Sequence, residues 1–92
     1  MPKALKMNEK DNVATVLDDI NQGEAVSVTF NGNHEMTVIA NEAMDCYHKI
    51  AINGIANEAA VFKYGEVIGK ATKDISPGDH VHINNIESVM TK

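Results

Sequence analysis

Apolar and polar positions alternate over much of this chain, and turn residues interrupt the alternation at short intervals. Val26, Val28 and Phe30 share one parity and Ser27 and Thr29 the other, before Asn31-Gly32 breaks the run and Met36-Thr37-Val38-Ile39 resumes it. A period of two marks a half-buried strand, and Asn-Gly suits a type I′ turn, whose two central residues both need positive φ. The segment is predicted to be a β-hairpin. Ile50 to Ile52, Val61 to Tyr64, Val67 to Ile68 and Val81 to Ile83 are further apolar runs bounded by turn residues. They are too short for helices and are predicted as strands. One stretch has a helical period: Val13, Val16, Leu17 and Ile20 fall at i, i+3, i+4 and i+7. Asp11 or Asn12 is placed to cap its free N–H groups and Gly23 to end it in the left-handed conformation. The expected fold class is therefore mainly β with one short helix at about residues 12–20.

A pattern recurs at Ile20-x-x-Gly23-x-x-Val26, Ile55-x-x-Glu58-x-x-Val61 and Ile75-x-x-Gly78-x-x-Val81. Each reads as a turn feeding a strand: Ile anchors the turn, the middle residue reverses the backbone, and Val opens the next strand. Glu58 breaks the rule. Either it sits at positive φ, with roughly 1 kcal/mol of strain relative to glycine, or the turn there has changed type.

The chain's 92 residues suffice for one domain, residues 1–92, with a single core. A composition 43% hydrophobic and 23% charged fits a folded globular protein, not a disordered tail or a membrane span. The formal charge is −5, with no Arg, no Trp and only two Tyr and two Phe. Nucleic acid is not an expected partner, since phosphate tracking wants clustered positive charge and base stacking wants aromatic platforms. Without Arg, an acid substrate must be held by Lys, backbone N–H groups or a partner chain. The lone Cys46 excludes an internal disulfide and a Cys-based zinc cluster, and reads as a half-buried small hydrophobe. Charges spread through Met1 to Val13 leave no apolar run of signal-peptide length, so a cytoplasmic location and no membrane partner are expected.

Five blocks carry a resemblance: Asp11-Asn12-Val13-Ala14, His48-Lys49-Ile50-Ala51, Lys63-Tyr64-Gly65-Glu66-Val67-Ile68-Gly69-Lys70-Ala71, Asp74-Ile75 and Gly78-Asp79-His80-Val81-His82. In order and spacing they resemble the N-terminal module of altronate and galactarate dehydratases, from about Asp11 to Asn85. The resemblance implies a SAF-type β-clip. It also implies loss of water from an aldonic or aldaric acid to give a 2-keto-3-deoxy acid. The chain would act as a small subunit, inactive without a large dehydratase subunit. A similar small subunit occurs in sulfolactate sulfo-lyase, and the chain does not separate these substrates. Three positions depart from the family pattern: Tyr47 and Glu58 stand where glycine is usual, and Asn84 replaces the third histidine of a His-x-His-x-His-Asn ending.

Elimination beside a carboxylate needs a base for the α proton, donors or a Lewis acid for the enolate, and an acid for the departing hydroxyl. His80, His82 and Asn84 alternate along a predicted strand and share a face opposite Val81 and Ile83. His80 and His82 are candidate metal ligands for a divalent ion, iron or manganese, held mainly by the larger partner. His48 and His82 are candidate catalytic groups, and Lys49, Lys63 and Tyr64 candidate substrate-binding groups. Plainer roles stand beside these: a solvated strand face for His80 and His82, a hydrogen-bonded residue at the mouth of the core for His48, and turn chemistry for Tyr64. His34 is expected in an exposed loop. A non-catalytic carbohydrate- or protein-binding module on the same β-clip is the rival class, an antifreeze-like surface binder ranks last, and homo-oligomer formation is left open.

Overall fold

The computed structural model describes residues 1–88, which contain nine strands and no helix. They are β1 Lys3–Lys6, β2 Val13–Val16, β3 Ala25–Phe30, β4 Asn33–Ile39, β5 Lys49–Ala51, β6 Ala60–Lys63, β7 Glu66–Ala71, β8 His80–Val81 and β9 Ile86–Ser88. Six form one sheet in the order β4-β3-β1-β2-β5-β8, and three form a second in the order β6-β7-β9. Neighbours run antiparallel except β1 and β3, which are parallel.

The expected helix is absent. Val13–Val16 is β2, a central strand between β1 and β5, and Leu17 onward leads into a turn. Val13 packs into one hydrophobic core with Ala51, Ile55, Val61, Ala71, Ile75 and Val81, while Ala14 and Val16 face another built around Val26, Val28, Ile50 and Ile52. A strand buried on both faces loses its alternation, so its apolar residues can fall at helical spacing by accident. Asp11 does not cap a helix. Its buried carboxylate accepts N–H bonds from Met7 (3.2 Å), Asn8 (3.0 Å), Tyr64 (3.1 Å) and Gly65 (2.8 Å), tying the β1–β2 connection to the β6–β7 hairpin.

Both hairpins turn on two residues at positive φ: Asn31 and Gly32 at 53° and 79°, and Tyr64 and Gly65 at 57° and 76°. The first is the predicted Asn-Gly turn. His34 lies inside β4 and not in a loop, exposed, with Nδ1 2.8 Å from Ser27 Oγ.

The recurring turn occurs four times, one more than the Ile-x-x-Gly pattern announces. Gly23, Tyr47, Glu58 and Gly78 have φ of 88°, 73°, 72° and 94°, so Met44-x-x-Tyr47-x-x-Ile50 is the fourth copy. The anchors pair through reciprocal backbone bonds, Ile20 with Met44 at 2.8 and 3.0 Å and Ile55 with Ile75 at 2.8 Å each way. Gly78 needs more than its φ: a Cβ there would collide with the carbonyl oxygen of Ile39.

Candidate functional site

The turn at Met44–Tyr47 delivers His48 to the start of β5, and the turn at Ile75–Gly78 delivers His80 to the start of β8. β5 and β8 pair antiparallel with Ile50 opposite His80 and Lys49 opposite Val81. This register gathers three imidazoles that are far apart in sequence. The centroids of His48 and His80 are 5.0 Å apart, those of His48 and His82 5.4 Å, and those of His80 and His82 5.3 Å, with interplanar angles of 24°, 5° and 26°. His48 Nδ1 lies 2.8 Å from His80 Nε2. One nitrogen must donate and the other accept, so this bond survives only while at least one of the two rings is neutral. Burial lowers the His80 pKa from its ordinary value, repulsion from His48 adds to that, and His82 and Lys49 contribute in the same sense. Glu42, whose Oε2 accepts the His80 N–H at 3.2 Å, opposes the shift.

Val81 points into the second core, and Lys49, opposite it, sits on that side of the sheet, half-buried. Its pKa is lowered by burial and then by repulsion from Lys63. Lys63 Nζ stands 5.1 Å from the centre of the Tyr64 ring, a cation–π contact at the exposed tip of the β6–β7 hairpin. Among the described residues the ion pair is Lys6 with Glu35 at 3.0 Å, so no carboxylate within ion-pair distance neutralises Lys49 or Lys63. Of the six residues singled out in the sequence, the three imidazoles meet on one face of the β5–β8 pair, Lys49 lies on the other face, and Lys63 and Tyr64 belong to the β6–β7 hairpin of the second sheet.

His48 and His80 also wall an open cleft of about 370 Å³, closed by Asp19, Ile20 and Asn21 on one side and Ala43, Met44 and Asp45 on the other. Asp19 holds that turn by accepting the Cys46 N–H at 2.9 Å, and Cys46 itself is a half-buried free thiol. Asp19, Asp45 and Glu42 make this side of the imidazole cluster acidic and were not singled out in the sequence, where isolated carboxylates carry no spacing signal.

The shared face expected for His80, His82 and Asn84 ends early. β8 stops at Val81, residues 83–85 form a turn, and Ile83 is 82% exposed. Asn85 is the buried member of that turn. Its Nδ2 donates to the His80 carbonyl at 2.7 Å and its Oδ1 accepts the His82 N–H at 2.9 Å.

Imidazole nitrogens suit a divalent ion. Yet the bond between His48 and His80 occupies one nitrogen of each, and no group of three or more His, Cys, Asp or Glu among the described residues is arranged to hold a metal. The described residues therefore do not fit a self-sufficient metal centre. Among them, no helix is long and apolar enough to cross a membrane.

The family model for the altronate/galactarate dehydratase SAF domain matches residues 2–89. The chain belongs to this family. Its SAF domain is 41% identical over 81 residues to altronate dehydratase from Escherichia coli (strain K12), covering 88% of the chain and 15% of that protein. It is 32% identical over 88 residues to altronate dehydratase from Bacillus subtilis (strain 168), covering 96% of the chain and 17% of that protein. A third relative, (2R)-sulfolactate sulfo-lyase subunit alpha from Chromohalobacter salexigens, is 36% identical over 47 residues, which are 51% of the chain and 50% of that subunit. The SAF domain thus spans about a sixth of the two altronate dehydratases and half of the sulfo-lyase subunit.

Proposed function

We propose that this SAF domain supplies the rim of a hydro-lyase active site acting on a sugar acid, beside a larger catalytic partner. The observation that carries the reading is the convergence of His48, His80 and His82 at the β5–β8 edge, with Lys49 on β5 beside them. The naming of three relatives as dehydratases or as a lyase subunit supports the class, and the word subunit supports a partner.

In this reading a base removes the proton beside the carboxylate and the neighbouring C–O bond breaks. The leaving hydroxyl takes a proton to depart as water, and the resulting enol tautomerises to the 2-keto-3-deoxy acid. His82 or His48 supplies the proton to the leaving group; the lowered pKa of His80 keeps it neutral and able to accept a hydrogen bond. Lys49 and Lys63, with no ion-pair partner among the described residues, hold the substrate acid group, with Tyr64 packing beside it. The neutral polyol end lies in the cleft, where Asp19 and Asp45 accept from hydroxyls. A divalent ion, iron or manganese, is held mainly by the partner; His80 and His82 can add nitrogens to such a set and cannot hold the ion alone. The location is cytoplasmic.

The test is reconstitution with a large dehydratase subunit and assays of altronate, galactarate and (2R)-sulfolactate. Turnover is expected only from the mixture, and His82→Ala should lower kcat by about tenfold or more while leaving the fold intact. Full activity of the larger chain without this domain, or with His82→Ala, would remove the domain from the chemistry.

A further inference from the structure

We propose that Asn85 is a positioning residue that sets the geometry of the histidine cluster by acting as a surrogate neighbouring strand for β8. The inference rests on the reading of that cluster as part of an active-site rim. β8 is two residues long and outermost in its sheet, with β5 as its one neighbour. Backbone groups pointing away from that neighbour must find other partners. In β8 these are the His80 N–H, the His80 carbonyl and, one residue beyond, the His82 N–H. Glu42 takes the first at 3.2 Å, and the Asn85 carboxamide takes both others, at 2.7 and 2.9 Å.

A carboxamide presents one donor and one acceptor on a plane, as a peptide group does, so a single side chain replaces the missing strand. Asn85 is only 5% exposed, so water cannot readily take over. Its own backbone is fixed at both ends: its N–H donates to the His82 carbonyl at 2.9 Å and its carbonyl accepts the Thr72 N–H at 2.9 Å. The His80–His82 backbone is therefore clamped from β5 on one side and from a rigid turn on the other. The 2.8 Å contact between His48 and His80 needs this placement, because two rings on different strands meet only if both backbones hold still.

The molecule carries a matched comparison. Asn12 does the same for β6, an outer strand of the second sheet: Nδ2 donates to the Ala60 carbonyl at 3.0 Å and Oδ1 accepts the Phe62 N–H at 2.8 Å. No histidine rides on β6. A merely structural role predicts the same consequence for Asn85→Ala and Asn12→Ala; a positioning role separates them.

The experiment records the ring 15N shifts of His48, His80 and His82 in the full chain at constant pH, with unfolding midpoints, for both variants. Asn85→Ala is expected to replace the fixed tautomers of His48 and His80 by averaged shifts, and Asn12→Ala to leave all three rings unmoved despite a comparable loss of stability. In the reconstituted enzyme Asn85→Ala should lower kcat by about tenfold or more, with KM within about twofold. Ring shifts unchanged in Asn85→Ala, or changed equally in Asn12→Ala, would overturn the proposal. Should Asn85→Ala not fold, Asn85→Asp keeps the acceptor for His82 and loses the donor to His80, and the same comparison applies. Ring shifts that move while kcat does not would uphold the positioning and sink the active-site reading.

Discussion

Replacing Asp11 by Ala should cost more stability than any other single polar substitution in the described residues. The carboxylate is 2% exposed and accepts four backbone N–H bonds of 2.8 to 3.2 Å from two turns that no strand pairing joins. A hydrogen bond to a charged group contributes about 1.5–3 kcal/mol net, and four converging on one carboxylate are not additive. Removal leaves four donors to find water or stay unpaired, so a loss of about 3–5 kcal/mol is expected for Asp11→Ala. That is a large share of the roughly 5–15 kcal/mol typical of a domain. Asp11→Asn keeps Oδ2 for three donors and turns its NH₂ toward the Gly65 N–H, so it should lose about half as much. Urea unfolding, followed by two probes and fitted for midpoint and slope, measures both. A loss below about 1 kcal/mol for Asp11→Ala would show that the four contacts do not act as a tie. The damage should extend to the Lys63–Tyr64 tip of the β6–β7 hairpin, because Tyr64 and Gly65 are two of the four donors.

Glu58→Gly should raise stability by about 0.5–1 kcal/mol, since Glu58 sits at φ 72° and glycine removes that strain at some cost in chain entropy; a lower urea midpoint would contradict it. Gly78→Ala should destabilise by about 3 kcal/mol or more, or prevent folding, because a Cβ meets the Ile39 carbonyl oxygen at a positive-φ site; a circular dichroism melt decides. The lowered His80 pKa gives stability a pH slope. As pH falls through the ordinary histidine value near 6.5, the unfolded chain takes up the proton first, so stability is full above that value and declines toward the lower folded value. His80→Gln should flatten this part of the curve, and an unchanged slope would refute the assignment. In the enzyme proposed above, Asp45→Asn removes negative charge from the cleft and should raise kcat/KM for galactarate, whose far end is a second carboxylate, relative to altronate by about tenfold; an unchanged ratio would place that carboxylate elsewhere.

Turn chemistry was the most legible part of the sequence. Asn31-Gly32 announced the first hairpin, and three copies of Ile-x-x-(Gly or Glu)-x-x-Val announced three of four turns; the choice left open at Glu58 is decided by its φ of 72°. The fourth stayed hidden because Met44 and Tyr47 replace Ile and Gly. β1 was missed since Lys6 is buried, its Nζ 3.0 Å from Glu35 Oε2 and 5.5 Å from the Phe30 ring centre, and a buried lysine erases the pattern. β2 was read as a helix because a strand between two cores shows no alternation. Parity placed His80 with His82, but the closure of the three rings depends on the β5–β8 register, which no local pattern encodes. Asn85 escaped notice as more than a motif letter because its partners are backbone groups.

The two stapled pairs of turns are near copies. Asp19 accepts the Cys46 N–H at 2.9 Å across the Ile20–Met44 staple, and Asp74 accepts the Asn57 N–H at 2.9 Å across the Ile55–Ile75 staple. The first pair lines the cleft with His48 and His80, and the second ends in the Ile75–Gly78 turn that delivers His80. A defect engineered at Asp19 or at Asp74 therefore loosens the imidazole cluster from a different strand, β5 in the first case and β8 in the second.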